Sequence, residues 1–211
     1  MFTPDIMMQL VDQIRLEEED DDQADELTLD SLPAFKAQKW VSWKLSFETL
    51  LSSIQSTVME NLPLNYVVRS PRTPDALTLA NMDDRGRRYW TVILRGQRFQ
   101  SDNKLVFRKL KMALLDTDGW VWIQAFDATK DGRGTWLGLT EHYDGPGEKQ
   151  KRISQAKKTL SNLSYKYKRS NMNFERYSSR MFDAFTILKE NGIVYHPFDK
   201  VDRLLDSIDN N

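Results

Sequence analysis

The chain of 211 residues contains no cysteine and only two histidines. Without cysteine there can be no disulfide, no thiolate zinc site, no iron–sulfur cluster and no cysteine nucleophile. His142 and His196 have no matched nucleophile and do not stand at metal-ligand spacing from each other. We therefore expect a protein that is not an enzyme and that takes no cofactor, metal or small-molecule substrate.

The sequence also lacks a long apolar run. No stretch approaches the roughly 18 residues that a membrane-spanning helix needs, and the N-terminus is acidic where a signal peptide would be basic. We expect a cytoplasmic protein with no membrane partner. With 40% hydrophobic and 29% charged residues, the composition is typical of a globular chain with one or two cores.

The charge is strongly asymmetric although the net charge is only −1. Residues 1–32 hold eleven acids against Arg15, which gives −10 and leaves about +9 for the remainder. The unbroken acidic run Glu17–Asp22 repels itself, so we predict a largely disordered acidic tail over 1–32. Two roles remain open for it, a solubilising tail or a mimic of nucleic acid that folds over the basic body.

Apolar residues in most of the remaining chain recur at three- and four-residue steps, which predicts a mainly α protein. Helices are expected over 33–56 and 82–96, then from a cap at Ser101 or Asp102, and from Gly132. Residues 61–70 alternate between apolar and polar side chains and predict an extended segment.

The C-terminal part carries successive amphipathic stripes that predict mutually packed helices. The longest runs through Phe174, Tyr177, Met181, Phe185 and Leu188 and ends at Asn191-Gly192. A stripe precedes it at Ile153, Ala156, Leu160 and Leu163, and another follows at Phe198, Val201, Leu204, Leu205 and Ile208.

A basic cluster lies between 146 and 170, with a local charge of +7 once Glu148 is counted. Such a cluster predicts contacts to RNA phosphates that are electrostatic and poorly selective for sequence. The alternative is a solvated helix face beside a core stripe. The candidate RNA-contacting residues are Lys149, Lys151, Arg152, Lys157, Lys158, Lys166, Lys168 and Arg169.

Four motifs in one order resemble a known family. The chain reads Trp136-x-x-Leu139-x-x-x-Tyr143, then a lysine-rich helix from Lys151 to Leu163, then Phe174-x-x-Tyr177 ending at Gly192, then a helix with the adjacent pair Leu204-Leu205. This order resembles the Gag polyprotein of copia-type long-terminal-repeat retrotransposons over about 96–208.

The resemblance implies an all-helical capsid protein of two lobes that self-associates into a particle around the element's RNA. The expected lobes are 33–145 and 146–211, the latter being the start of a C-terminal lobe. The expected lobe core is Trp136, Leu139, Tyr143, Phe174, Tyr177, Phe185, Leu204 and Leu205, and the expected self-association surface is Phe198, Val201 and Ile208.

The chain departs from the family pattern in two respects. Such Gags usually continue for several helices and often carry a Cys-Cys-His-Cys zinc knuckle, whereas this chain has no cysteine and stops at Asn211. We therefore expect a fragment, or a truncated or domesticated copy. The competing interpretation is a monomeric helical adaptor that binds nucleic acid or protein through its basic face.

Overall fold

The computed structural model describes residues 32–56, 58–166 and 173–209, and these are mainly helical, as the apolar periodicity predicts. The predicted disorder of the acidic tail lies outside the described residues, apart from Leu32. The helices are α1 (Trp40–Ser53), α2 (Ala76–Ala80), α3 (Asp84–Thr91), α4 (Gln97–Leu114), α5 (Trp120–Ile123), α6 (Gly132–Asp144), α7 (Pro146–Asn162), α8 (Phe174–Glu190) and α9 (Pro197–Asp206). Short 3-10 turns lie at Ala37–Lys39, Leu64–Tyr66 and Gln124–Phe126, and β1 (Tyr165–Lys166) pairs in parallel with β2 (Ile208–Asp209).

The chain divides into two compact units. Of the described residues, the first holds those up to Phe35 together with those within Trp43–Gly138, and the second holds Lys36–Ser42 and those from Leu139 onward. The predicted boundary after residue 145 differs from this division, which falls inside α6. The physical reason is visible in the second unit, where Trp40 stacks on Tyr143 at 4.9 Å and its indole donates to Asp144 at 2.6 Å.

The core of the first unit is built on stacked aromatic rings. Phe47 lies between Trp43 and Trp136, with ring centroids 5.3 Å apart on each side. All three side chains are buried. The predicted helix over 33–56 is shorter than expected, because the residues before Trp40 form a 3-10 turn and α1 ends at Ser53.

The segment 61–70 is not extended. Its backbone makes local bonds, from the Tyr66 amide to the Pro63 carbonyl and from the Val67 amide to the Leu64 carbonyl, both 3.2 Å. The alternating pattern failed here because Val67 is buried as well as Leu64 and Tyr66, so burial does not follow a period of two.

The predicted helix over 82–96 is also shorter, since α3 ends at Thr91 and Val92 has an extended ψ of 136°. The guanidinium of Arg69 donates to the carbonyls of Tyr89 and Val92, which satisfies backbone acceptors at this end. Gly96, with φ +88°, begins α4 rather than ending a helix.

Asp102 does not cap α4 but is buried inside it. Its carboxylate accepts from the Ser56 hydroxyl at 2.5 Å and from the Tyr66 phenol at 2.9 Å. Burial, followed by the neighbouring Asp102 charge, raises the pKa of Tyr66. These bonds hold Ser56 and Tyr66 to α4, so this acid has a structural role.

The second unit packs α7 against α8. Tyr177, Met181, Ala184, Phe185 and Leu188 of α8 are all buried in a common cluster. The facing residues on α7 and just after it are Ile153, Ala156, Leu160 and Leu163. Two amphipathic stripes of the same period thus bury each other, as the sequence predicts.

Two residues of the predicted core lie at the surface instead. Phe174 is 46% exposed and Leu205 is 61% exposed. Phe174 occupies the first position of α8, and its ring contacts those of Tyr165 and Tyr177. Leu204 is half-buried against the cluster, and its neighbour Leu205 therefore points away from it.

Candidate nucleic-acid and self-association surfaces

The predicted RNA-contacting residues do not form one cluster. Lys149, Lys151, Lys157 and Lys158 are exposed on α7. Lys168 and Arg169 lie outside the described residues, as does the side chain of Lys166.

Arg152 is a correction to the predicted set, because it is buried at 3% exposure. Its guanidinium donates to the Tyr143 carbonyl at 2.8 Å and to the Asn191 side-chain oxygen at 3.2 and 3.3 Å. Burial lowers the pKa of Arg152, and nearby carboxylates, Asp144 first, act in the opposite direction. The sequence contained a signal for this burial, because Arg152 lies four residues before the buried Ala156 and therefore on the same face of the helix.

Lys157 faces acids of its own unit. It lines a cleft of about 640 Å³ together with Asp199, Asp202, Asp206 and Arg203. The three carboxylates outnumber the two cations there, so the local charge opposes binding of a phosphate.

A second cleft of about 610 Å³ lies on the other side of α7 and is here called the basic cleft. Its cations are Lys39, Arg152, Lys158 and Arg180, and its one acid is Asp183. Lys39 and Arg180 were not among the predicted residues, because they are far in sequence from the basic cluster and only folding brings them to α7. Uncharged polar residues at the cleft are Gln38, Gln155, Thr159 and Asn162, and apolar ones are Ala156, Leu163, Ala184 and Ile187.

Two of these cations are already engaged. Lys39 pairs with Asp183 at 2.9 Å, with both side chains about half exposed, so the pair contributes little to stability. The Arg152 guanidinium already donates hydrogen bonds to the Tyr143 carbonyl and the Asn191 side chain. Within residues 32–56, 58–166 and 173–209, neither Lys158 nor Arg180 forms an ion pair, so their charged groups are free to contact a ligand.

The C-terminal helix α9 exposes its apolar face. Phe198 is 73% exposed, Val201 53% and Leu205 61%, and none of the helix's residues is fully buried. The third residue of the predicted self-association surface, Ile208, is half-buried in β2 and packs against the core. This apolar face is therefore Phe198, Val201 and Leu205.

His196 has a structural position at the start of α9. Its side chain accepts from the Phe198 amide while Asp199 accepts from the His196 amide, which forms a capping box. Across the ranges that the structure describes, no group of three or more histidine, aspartate or glutamate side chains is placed to hold a metal ion. No described helix has the length and apolar character to cross a bilayer.

No protein-family model matches the chain, and no curated protein or solved structure matches it either.

Proposed function

We propose that this chain is a structural, capsid-like protein of the Gag type, which self-associates into an oligomer or particle and holds RNA without sequence selectivity. The support from the fold is the placement of the motifs. The four motif segments occupy four successive helices, α6 to α9, in a mainly helical chain. In this role the protein acts through its surfaces and carries out no reaction.

The observation that carries the proposal is the exposed apolar face of α9. Three large apolar side chains, Phe198, Val201 and Leu205, share one side of a ten-residue helix. Contiguous apolar surface of this kind usually marks an interaction site, because covering it removes unfavourable contact with water.

The occupant that we favour is a second copy of the chain. A ridge of Asp199, Asp202 and Asp206 runs beside the apolar face, so an antiparallel pair of α9 helices would bring like charges together. A basic partner surface fits better, and the exposed lysines of α7 supply one. Contact between two different surfaces of identical chains is heterologous, and such contacts build rings or extended assemblies.

The test is the mass of the full chain by sedimentation over a concentration series. We compare the wild type with a triple variant, Phe198→Ser, Val201→Ser and Leu205→Ser. The matched control removes three apolar residues of similar exposure elsewhere, Leu45→Ser, Leu77→Ser and Ile93→Ser. We expect mass to rise with concentration in the wild type and the control, and to stay that of a monomer in the triple variant.

Salt provides a second reading of the same experiment. If acidic and basic surfaces of neighbouring copies meet, association weakens as ionic strength rises, because exposed charges are screened within about 10 Å at 0.1 M salt. A wild type that remains a monomer at every concentration and salt level would contradict the capsid proposal and favour the monomeric adaptor.

A further inference from the structure

We propose that the basic cleft is a nucleotide-binding site, in which Lys158 and Arg180 hold a phosphate and the apolar floor receives the base. The inference concerns the second unit alone and does not depend on self-association. It differs from the predicted RNA surface, which was confined to residues 146–170, because the cleft joins the 3-10 turn at Ala37–Lys39 to α7 and α8.

The charge of the cleft is the first argument. Four cations face one acid, a net charge of +3. Arg152 is buried and adds to the positive potential while its donors stay with protein acceptors. Lys158 and Arg180 come from two facing helices, and a phosphate between them can accept from a lysine ammonium and from the planar fork of an arginine.

The uncharged lining is the second argument, because it can contact a ligand that carries an apolar ring as well as a phosphate. Ala156, Leu163, Ala184 and Ile187 give an aliphatic floor, and Gln38, Gln155 and Asn162 offer amides at the rim. A base has an apolar face and hydrogen-bonding edges, so it suits this combination. At about 610 Å³ the cleft has the size of a ligand pocket.

The cleft that Lys157 lines with Asp199, Asp202 and Asp206, on the opposite side of α7, provides an internal contrast. Its volume is similar at about 640 Å³, but its lining holds three carboxylates and two cations. Size alone therefore does not distinguish the two clefts, and charge assigns a phosphate ligand to only one of them.

The test titrates the full chain with adenosine monophosphate, adenosine, inorganic phosphate and a ten-nucleotide oligoadenylate, followed by calorimetry and amide chemical shifts. The cleft variant is Lys158→Glu with Arg180→Glu. The control is Arg176→Glu with Lys189→Glu, which makes the same change in net charge at two exposed positions of α8 outside the cleft. Thermal melting of both variants checks that they fold.

We expect the monophosphate to bind the wild type and the control alike and to lose about tenfold in affinity for each charge-assisted bond removed in the cleft variant. Inorganic phosphate should shift the amides around Lys158 and Arg180, and adenosine should bind less well than its monophosphate. If the oligoadenylate shows the same loss in the cleft variant, RNA is the source of the nucleotide; if only the monophosphate does, the source is a free nucleotide.

Three results would overturn the inference. They are the absence of monophosphate binding to the wild type, equal weakening in the two variants, and equal affinity for adenosine and its monophosphate. Sedimentation of the same samples keeps this outcome separate from the capsid proposal, because a chain that associates without binding nucleotide would refute only the cleft.

Discussion

Helices α8 and α9 are both amphipathic and belong to the same unit, yet only α8 buries its apolar face. Helix α8 buries five residues of its apolar stripe, whereas α9 buries none of its residues fully. Apolar spacing thus predicts that a helix forms and which face is apolar, but it does not say whether the chain supplies a partner for that face. The first helix builds the unit, and the second offers a surface.

The attachments of the two helices explain the difference. Helix α8 packs along α7 through side chains of matching period. Helix α9 places the half-buried Leu204 against the cluster that these side chains form. Further contacts are single ones, in which Arg203 donates to the Leu160 carbonyl, Ser207 just after the helix bonds the Tyr177 hydroxyl, and the Lys200 ammonium lies 5.7 Å from the centre of the Phe185 ring. These contacts fix α9 by one side and leave Phe198 and Leu205 outside.

The strongest test of this comparison is Tyr177→Ala on α8. Tyr177 is fully buried and its hydroxyl bonds Ser207, so truncation leaves a cavity and a lost hydrogen bond. We expect the free energy of unfolding to fall by about 3 to 5 kcal/mol. Urea titration measures this loss, and a change below about 1 kcal/mol would mean that α8 is not the centre of the core.

The next largest effect is expected from Arg152→Met, which keeps an apolar stem but removes the guanidinium. The Tyr143 carbonyl and the Asn191 side-chain oxygen then lose their donor in a buried place. The expected loss is about 2 to 3 kcal/mol. Lys151→Met, one residue away and exposed, is the control and should stay within about 0.5 kcal/mol; equal melts for the two variants would argue against a structural Arg152.

The sequence predicted the helices best where a long stripe had clear ends. Asn191-Gly192 stops α8, as expected. It predicted least well where tertiary contacts decide the backbone, as at Val92, where Arg69 from another segment takes up the helix-end carbonyls. Local spacing carries no information about such a distant donor.

The candidate sites show the same limit. Lys158 belonged to the predicted basic set, but Lys39 and Arg180 joined it only through folding. Arg152 counted equally with its neighbours in a charge sum, although its position on the core stripe meant that it would be buried. A run of basic residues therefore predicts a positive electrostatic potential, but the helix face on which each residue lies decides whether its charge reaches solvent.

Phe174→Ala should have a smaller effect than Tyr177→Ala, although both aromatic residues belong to one motif. Phe174 is half exposed, with its ring 5.4 Å from that of Tyr165 and 5.8 Å from that of Tyr177. We expect a loss of about 1 kcal/mol, the value of an edge aromatic contact. A loss as large as that of Tyr177→Ala would show that the start of α8 is packed as tightly as its middle.

Glu190 at the end of α8 allows a comparison of acids. Burial raises the pKa of Glu190, while a hydrogen bond with Ser42 and the charges of Lys39 and Arg152 act the other way. A carboxyl group whose pKa is higher in the folded chain than in the unfolded chain contributes stability at low pH. This contribution is lost as the pH rises through the pKa of the folded state. Glu190→Gln should therefore gain stability relative to the wild type as pH rises from about 4 to about 7.5. Asp202→Asn, on exposed α9, controls for the loss of one charge, and a gain that falls with pH would contradict the assignment.

The smallest effect on folding is expected at the most exposed aromatic of α9. Phe198→Ser in dilute solution should change the free energy of unfolding by no more than about 0.5 kcal/mol, because 73% of the side chain is already in water. The comparison with α8 becomes sharper when concentration is raised. A partner copy that binds only the folded chain stabilises it by mass action, so the melting temperature of the wild type should rise with protein concentration. Phe198→Ser should melt at one temperature throughout, whereas Leu77→Ser, equally exposed in the first unit, should follow the wild type. If Phe198→Ser destabilises the dilute chain as much as Tyr177→Ala does, then α9 belongs to the core and its apolar face is not a surface for a second copy.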